Sequence, residues 1–234
     1  MAIAETVNRF WKEVAVVDRG IHLDGKPVRT PGRLPLILPT DALAEAVAEE
    51  WRAVEKEIKP QEMPLTGLSN AAIERIAPDI DTYAAGLAVY GETDLLCYRA
   101  DAPPPLVERQ AAIWNPLLDW ARARYDIGFT VTAGIIHRAQ PPETIARLAH
   151  AIAARDAFEL AALSPIVTIG GSLVIALMIA ENAIDPDAAF DACHLDELWQ
   201  AELWGEEWMA ADTRAAHRAD FLAGAKVLAL LRAA

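Results

Sequence analysis

Up to residue 39 the chain is built of short β-rich runs. "WKEVAVVD", "GIHLDGKPVRTP" and "LPLILPT" are separated by glycine and proline, the signature of strands and tight turns. Asp24-Gly25 predicts a hairpin. At Thr40, a good N-cap residue, the period lengthens. Leu43, Ala46, Val47, Trp51, Val54 and Ile58 form the apolar stripe of a helix, with Glu50 close to its edge and Trp51 as a structural residue. "IKPQEMPLT" carries two prolines and little periodicity, and marks a boundary.

Beyond it the pattern is helical. "TGLSNAAIERIA" ends at Pro78, and Tyr83, Leu87, Tyr90 and Asp94 share one face of the next segment. "PPPLVERQAAIWNPLLDWARARYD" is a helix that Pro116 should bend or break. "IGFTVTAG" reads as extended. Asp156 and Glu159 make a capping box, and Ser164-Pro165 and Asp185-Pro186 each look like an N-cap followed by proline. Leu160 to Ala180 holds no charge but is interrupted by Ser164-Pro165 and Gly170-Gly171 and lacks basic flanks. A buried helix over Val167–Ile179 is expected there, not membrane insertion. The expected fold is α+β, with a small β-rich N-terminal domain (1–62, one helix) before a larger all-helical C-terminal domain (63–234).

Composition narrows the function. The 234 residues are 53% hydrophobic and carry a net charge of −13, from 21 basic and 34 acidic side chains. That is enough apolar material for a core, and no basic run offers a nucleic-acid stripe. Cys97 and Cys193 lie far apart without a CxxC spacing, which suits a reducing cytoplasm. "MAIAETVNRFWKEV" lacks the basic start and apolar run of a signal peptide. Phosphate-loop, dinucleotide, zinc-protease and nucleophile-elbow motifs are absent. His22, His137, His150, His194 and His217 never pair at three or four residues. No cofactor or metal is expected.

Two acids stand out because pattern places them among apolar residues. Asp94 follows the tyrosine face, and its expected role is structural, satisfied by an Arg, a Tyr hydroxyl or a backbone amide. Glu202 lies in "LWQAELWGEEW", Leu198 to Trp208. On a helical wheel it joins Leu195, Leu198 and Trp199, while Phe190, Cys193, Ala201, Trp204 and Trp208 gather opposite. Core packing is the favoured reading of these tryptophans from pattern alone; a partner-facing surface, where a single acid fixes orientation, is the other. Gly205 should end the helix and turn the chain. Asp94 and Glu202 could instead form an acid–base pair of a small-molecule enzyme, which requires both in one interhelical pocket.

The order of "RFWKEVAVV", "LDGKPVRTP", "MPLTGLSNAAIERI", "YGETDLLCYRA", "LVERQAAIWNPLLDW" and "LWQAELWG" resembles the ATP-twelve chaperone family, including its alpha-proteobacterial relatives. The resemblance covers nearly the full length. It implies a β-rich N-terminal and a helical C-terminal region, and a non-enzymatic role. The family binds the unassembled α subunit of the F(1) sector of ATP synthase and keeps it from aggregating until β arrives. A cytoplasmic location in bacteria, or the mitochondrial matrix for eukaryotic relatives, is implied. The family's C-terminal acidic position falls on Glu202, or alternatively Glu206. With Trp204 and Trp208 these make the expected partner-binding set.

Overall fold

A computed structural model describes residues 8–134, 136–205 and 208–233. Three strands open it: β1 (Val14–Val17), β2 (Gly20–Leu23) and β3 (Lys26–Pro27), an antiparallel sheet in the order β1-β2-β3. The β2–β3 turn is Asp24-Gly25, both at positive φ (49° and 77°), the mirror-image turn whose twist matches that of the strands. The β1–β2 turn uses Asp18 and Arg19, also at positive φ (50° and 62°). Neither is glycine, so composition gave no sign of that turn.

Helix α1 (Asp41–Ala53) is capped by the Thr40 hydroxyl, which accepts from the Leu43 amide at 3.1 Å. The same hydroxyl donates to the Leu230 carbonyl at 3.0 Å, joining the start of α1 to the far end of the chain. Val54 and Ile58, placed on the α1 stripe by periodicity, lie past the helix end; they pack with Trp11, Trp51, Leu23 and Met63 in a small satellite core. Trp51 meets Trp11 edge-on at 5.3 Å.

The rest is helical: α2 (Pro64–Ala71), α3 (Ile80–Ala88), α4 (Pro104–Tyr125), α5 (Pro142–Ala153), α6 (Ala157–Gly170), α7 (Leu173–Ala180), α8 (Pro186–Cys193), α9 (Leu195–Trp204) and α10 (Trp208–Arg232). Two residue pairs, β4 (Tyr98–Arg99) and β5 (Thr132–Ala133), join in parallel. The main core runs without a break from Ile21, Leu38 and Val47 to Leu177, Phe221 and Leu228. Strands and helices thus share one apolar interior. Among the described residues no helix is long and apolar enough to cross a membrane.

Three local expectations are corrected. Pro116 does not break α4, which carries it in its interior from Pro104 to Tyr125. Ser164-Pro165 starts no helix; the Asp156–Glu159 capping box has already launched α6, which carries Pro165 in its interior. The single helix expected over Val167–Ile179 is two, because Gly171 adopts φ 65° and Ser172 caps α7. Burial follows the apolar run all the same: every residue of α7 is buried.

Helix α10 lies along α6, and the approach depends on Gly224. A methyl there would collide with the Ala162 carbonyl oxygen and come within 3.1 Å of the Pro165 ring. Backbone cannot give way as a flexible side chain does. Gly224→Ala should therefore lower stability by about 1–3 kcal/mol, the usual cost of overpacking, measured by thermal or urea unfolding; an unchanged midpoint would mean that α10 is not seated this closely.

Candidate functional site

The segment that periodicity treated as one helix bends at His194. Its Nδ1 lies 2.9 Å from the Phe190 carbonyl, and its ring stacks on Phe190 at 3.9 Å. Phe190 therefore belongs to α8, where it is buried and meets Phe221 edge-on at 5.4 Å. The grouping of Phe190 and Cys193 with Trp204 and Trp208 fails for this reason: they are on different helices.

Helix α9 leans on α4 through buried Leu195 and half-buried Leu198 and Trp199. Arg109 of α4 reaches across. Its Nη1 donates to Glu202 Oε2 at 2.5 Å and its Nη2 to Oε1 at 2.8 Å, a two-pronged carboxylate clamp. The same guanidinium lies 5.6 Å from the centre of the Trp199 ring. Glu202 is thus exposed yet fixed, and the Arg109 hydrogen bonds hold its carboxyl below the usual carboxylate range. In the last turn of α9 the helix dipole disfavours an acid; Arg109 answers that penalty. Beside the pair runs a groove of about 720 Å³ lined by Ile113, Leu198, Ala201 and Arg214 among others.

Gly205 ends α9 at φ 85°, and α10 opens at Trp208. Around this break Leu203, Trp204, Trp208 and Met209 are 55%, 79%, 71% and 59% exposed. Core packing, the favoured expectation for the tryptophans, is corrected for Trp204 and Trp208; only Trp199 of the three is even half-buried. The glycine turn carries the two rings away from the interior and into water. Between α9 and α10 a second groove of about 510 Å³ is lined by Trp204, Met209, Thr213 and His217. Glu206 lies outside the described residues.

Asp94 is elsewhere. Helix α3 stops at Ala88, so Asp94 does not extend the tyrosine face; it caps a short turn over Leu95–Cys97. Its carboxylate is fully buried. Oδ1 accepts from the Leu96 amide at 3.0 Å, and Oδ2 accepts from the Val174 amide at 3.0 Å and the Ser172 hydroxyl at 3.1 Å. It therefore seats the N-terminus of α7, a helix 80 residues away in sequence. Burial pushes its carboxyl up to about 6, against the pull of these hydrogen bonds. Asp94 and Glu202 share no partner, and Asp94 is fully buried and lines neither the groove beside Glu202 nor the one between α9 and α10. The geometry needed for a paired-acid enzyme is not present.

Several residues that matter here had no marked signal in the pattern. Glu50, half-buried, accepts from the amides of Leu65 and Thr66 at 2.7 and 2.8 Å and from the Thr66 hydroxyl at 2.6 Å, capping α2 from outside. Buried Gln110 accepts from the Ala100 amide at 2.8 Å and donates to Asp196 at 2.8 Å, tying the first turn of α9 to α4. Trp114 donates to the Ala192 carbonyl at 2.8 Å. Among the described residues no group of three His, Cys, Asp or Glu side chains is arranged to hold a metal ion.

A fixed helical body with four large apolar side chains open to water at one corner has the build of a protein-binding molecule. Comparison with known proteins is specific. The family model described as ATP12 chaperone protein matches residues 8–122. The crystal structure of Atp12 from Paracoccus denitrificans is 42% identical, with a TM-score of 0.91 over 96% of this chain and 98% of that one. A solved protein of Agrobacterium tumefaciens is 39% identical, with a TM-score of 0.93 over 97% of this chain and 87% of its own. The mitochondrial protein atp12 of Schizosaccharomyces pombe is 25% identical over 84% of this chain and 73% of its own length. The chain belongs to the ATP12 chaperone family.

Asp94 generates a pH prediction. Its folded carboxyl ionises near 6 against an ordinary 3.8, so between those values the folded chain holds a proton that the unfolded chain has lost. The associated stability is present below pH 4 and is lost as pH rises through about 6. It amounts to at most about 3 kcal/mol. Wild type should lose stability over this range relative to Asp94→Asn, which does not titrate. Parallel unfolding curves at pH 4.5 and 7 would show that the carboxyl is ionised throughout.

Proposed function

We propose that this chain is a non-enzymatic assembly chaperone that binds the unassembled α subunit of the F(1) sector of ATP synthase and prevents its aggregation until β joins. Membership of the ATP12 family supports the chaperone role. The observation that carries the reading is the cluster of Leu203, Trp204, Trp208 and Met209 exposed around Gly205, beside the Arg109–Glu202 clamp. Trp204 and Trp208 supply large, rigid apolar area of the kind that dominates protein interfaces. Glu202, held in one geometry, offers its remaining lone pairs to a basic or amide donor on the partner and fixes orientation. Glu206 is proposed as a second partner-binding acid.

An α-subunit face destined to be covered by β is apolar and sticky while unassembled. The corner covers such a face, and β displaces it by competing for the same area. Such exchange needs no nucleotide, because the covering surface is traded rather than hydrolysed away. The same reading assigns the protein to the compartment where F(1) is built, the cytoplasm of a bacterium.

The test is mutational. Glu202→Ala and Trp204→Ser alter exposed side chains, so their thermal unfolding should stay close to wild type. Capture of aggregating α subunit, followed by light scattering, should weaken roughly tenfold or more, as for interface residues of the dominant kind. Early unfolding of Glu202→Ala with normal protection of α would make the glutamate scaffolding and sink its assigned role. Normal protection by both variants would sink the proposed surface.

A further inference from the structure

A third concavity lies away from the α9–α10 corner, where the C-terminal ends of α4, α5 and α7 converge. It encloses about 590 Å³. Arg124, Arg147 and Arg155 stand on its rim with His150, against a single lining acid, Glu181. Three acids pair with these guanidiniums, Glu181 in the lining and Asp126 and Glu159 beside it, so the rim offers guanidinium edges rather than a net positive charge. The methyl groups of Ala146, Ala151 and Ala154 also line it.

The bonds already made leave donors over. Glu181 organises the group: it accepts from Arg124 Nε at 2.5 Å, from the Tyr125 hydroxyl at 2.7 Å and from Arg155 Nη2 at 3.5 Å. Arg155 Nη1 reaches Glu159 at 3.1 Å. Its Nε is buried and has no partner, an expensive state for part of a cation. Arg147 spends one nitrogen, Nη1, on the carbonyls of Tyr125 and Asp126 and on the Asp126 carboxylate, at 2.9, 2.6 and 2.7 Å. The pull of the α4 C-terminus accounts for that nitrogen. Arg147 Nε and Nη2 and Arg124 Nη1 and Nη2, on side chains 48% and 53% exposed, take no hydrogen-bond partner among the described residues and stay open to a ligand.

We propose that this cavity binds a carboxylate carried on a short apolar stem. Two guanidinium edges with free N–H groups match the two oxygens of a carboxylate. The alanine methyls suit an apolar stem and offer no partner to the water shell of a free inorganic ion. A peptide C-terminus and a small organic acid both present that chemistry. The site is independent of the tryptophan corner and of the function assigned to it.

The probe is hexanoate, titrated into the full chain while the amide NMR shifts of Ala146, Ala151 and Ala154 are followed, with hexanamide at equal ionic strength as the neutral control. Saturable shifts with hexanoate and none with hexanamide are expected. Arg147→Gln should weaken binding roughly tenfold or more, the loss of a charge-assisted pair. Ala146→Glu sets a carboxylate on the rim from an exposed helical position and should abolish binding; it keeps the proposal testable if Arg147→Gln folds poorly. N-acetyl-Ala-Leu with a free C-terminus distinguishes the source. Binding about tenfold tighter than hexanoate indicates a peptide end, and equal or weaker binding a small acid. Shifts that do not saturate, that hexanamide reproduces, or that persist in Ala146→Glu overturn the proposal.

Discussion

The buried carboxylate of Asp94 is the contact on which the rest of the structure depends. Helix α7 is enclosed on every side, so its first amides cannot reach water, and an unpaired buried amide costs on the order of 1–3 kcal/mol. Ser172 satisfies one of these amides, Ile175, and Asp94 takes Val174 together with the Ser172 hydroxyl. One carboxylate from a distant turn thus sets both the position and the direction of the central helix. Glu50 repeats the device at the start of α2. In both cases the helix start is bonded by an acid from another part of the chain, which fixes chain path as well as satisfying donors. From α7 the order passes through the Gly171 turn to α6, from α6 to α10 by way of Gly224, and so to the corner that α10 makes with α9.

That sequence of constraints explains how the chain keeps two tryptophan rings in water. Local preference would bury Trp204 and Trp208. Burial would require α9 and α10 to close on each other, but α9 is anchored to α4 by Gln110 and by buried Leu195, and α10 is anchored to α6. Gly205 lets the chain turn between two helices that are each already committed. The acidic surface complements this exposure, because mutual repulsion between copies opposes self-association through the open corner. A chaperone of the ATP12 family needs that combination: an apolar surface that stays available, on a molecule that does not consume it.

Much of this was legible in the residues, and the remainder was not for identifiable reasons. Asp24-Gly25, Thr40, Asp156–Glu159 and Asp185-Pro186 act locally, so a few adjacent positions declare the turn or cap. The break at Gly171 was hidden because periodicity carries no information in a run that is apolar all round. Pro165 was read as a helix start and Pro116 as a bend or break because the packing that holds α6 and α4 together is not local. Asp94 was grouped with Tyr83 and Tyr90 by a helix that in fact ends at Ala88. Arg109 gave no signal, since an arginine on a helix surface is ordinary and its partner lies 93 residues away. The tryptophan corner was the hardest part, because a ring left in water and a ring in a core have the same spacing in sequence.

The proposed client surface lies around Gly205. Hydrogen–deuterium exchange of the full chain, alone and mixed with unassembled F(1) α subunit, tests this without altering any residue. The account predicts that exchange slows over residues 198–215, at the end of α9 and the first turns of α10, with residues 14–27 of the sheet unchanged. Protection centred on the sheet, or a pattern that leaves 198–215 as exposed as in the free protein, would contradict it.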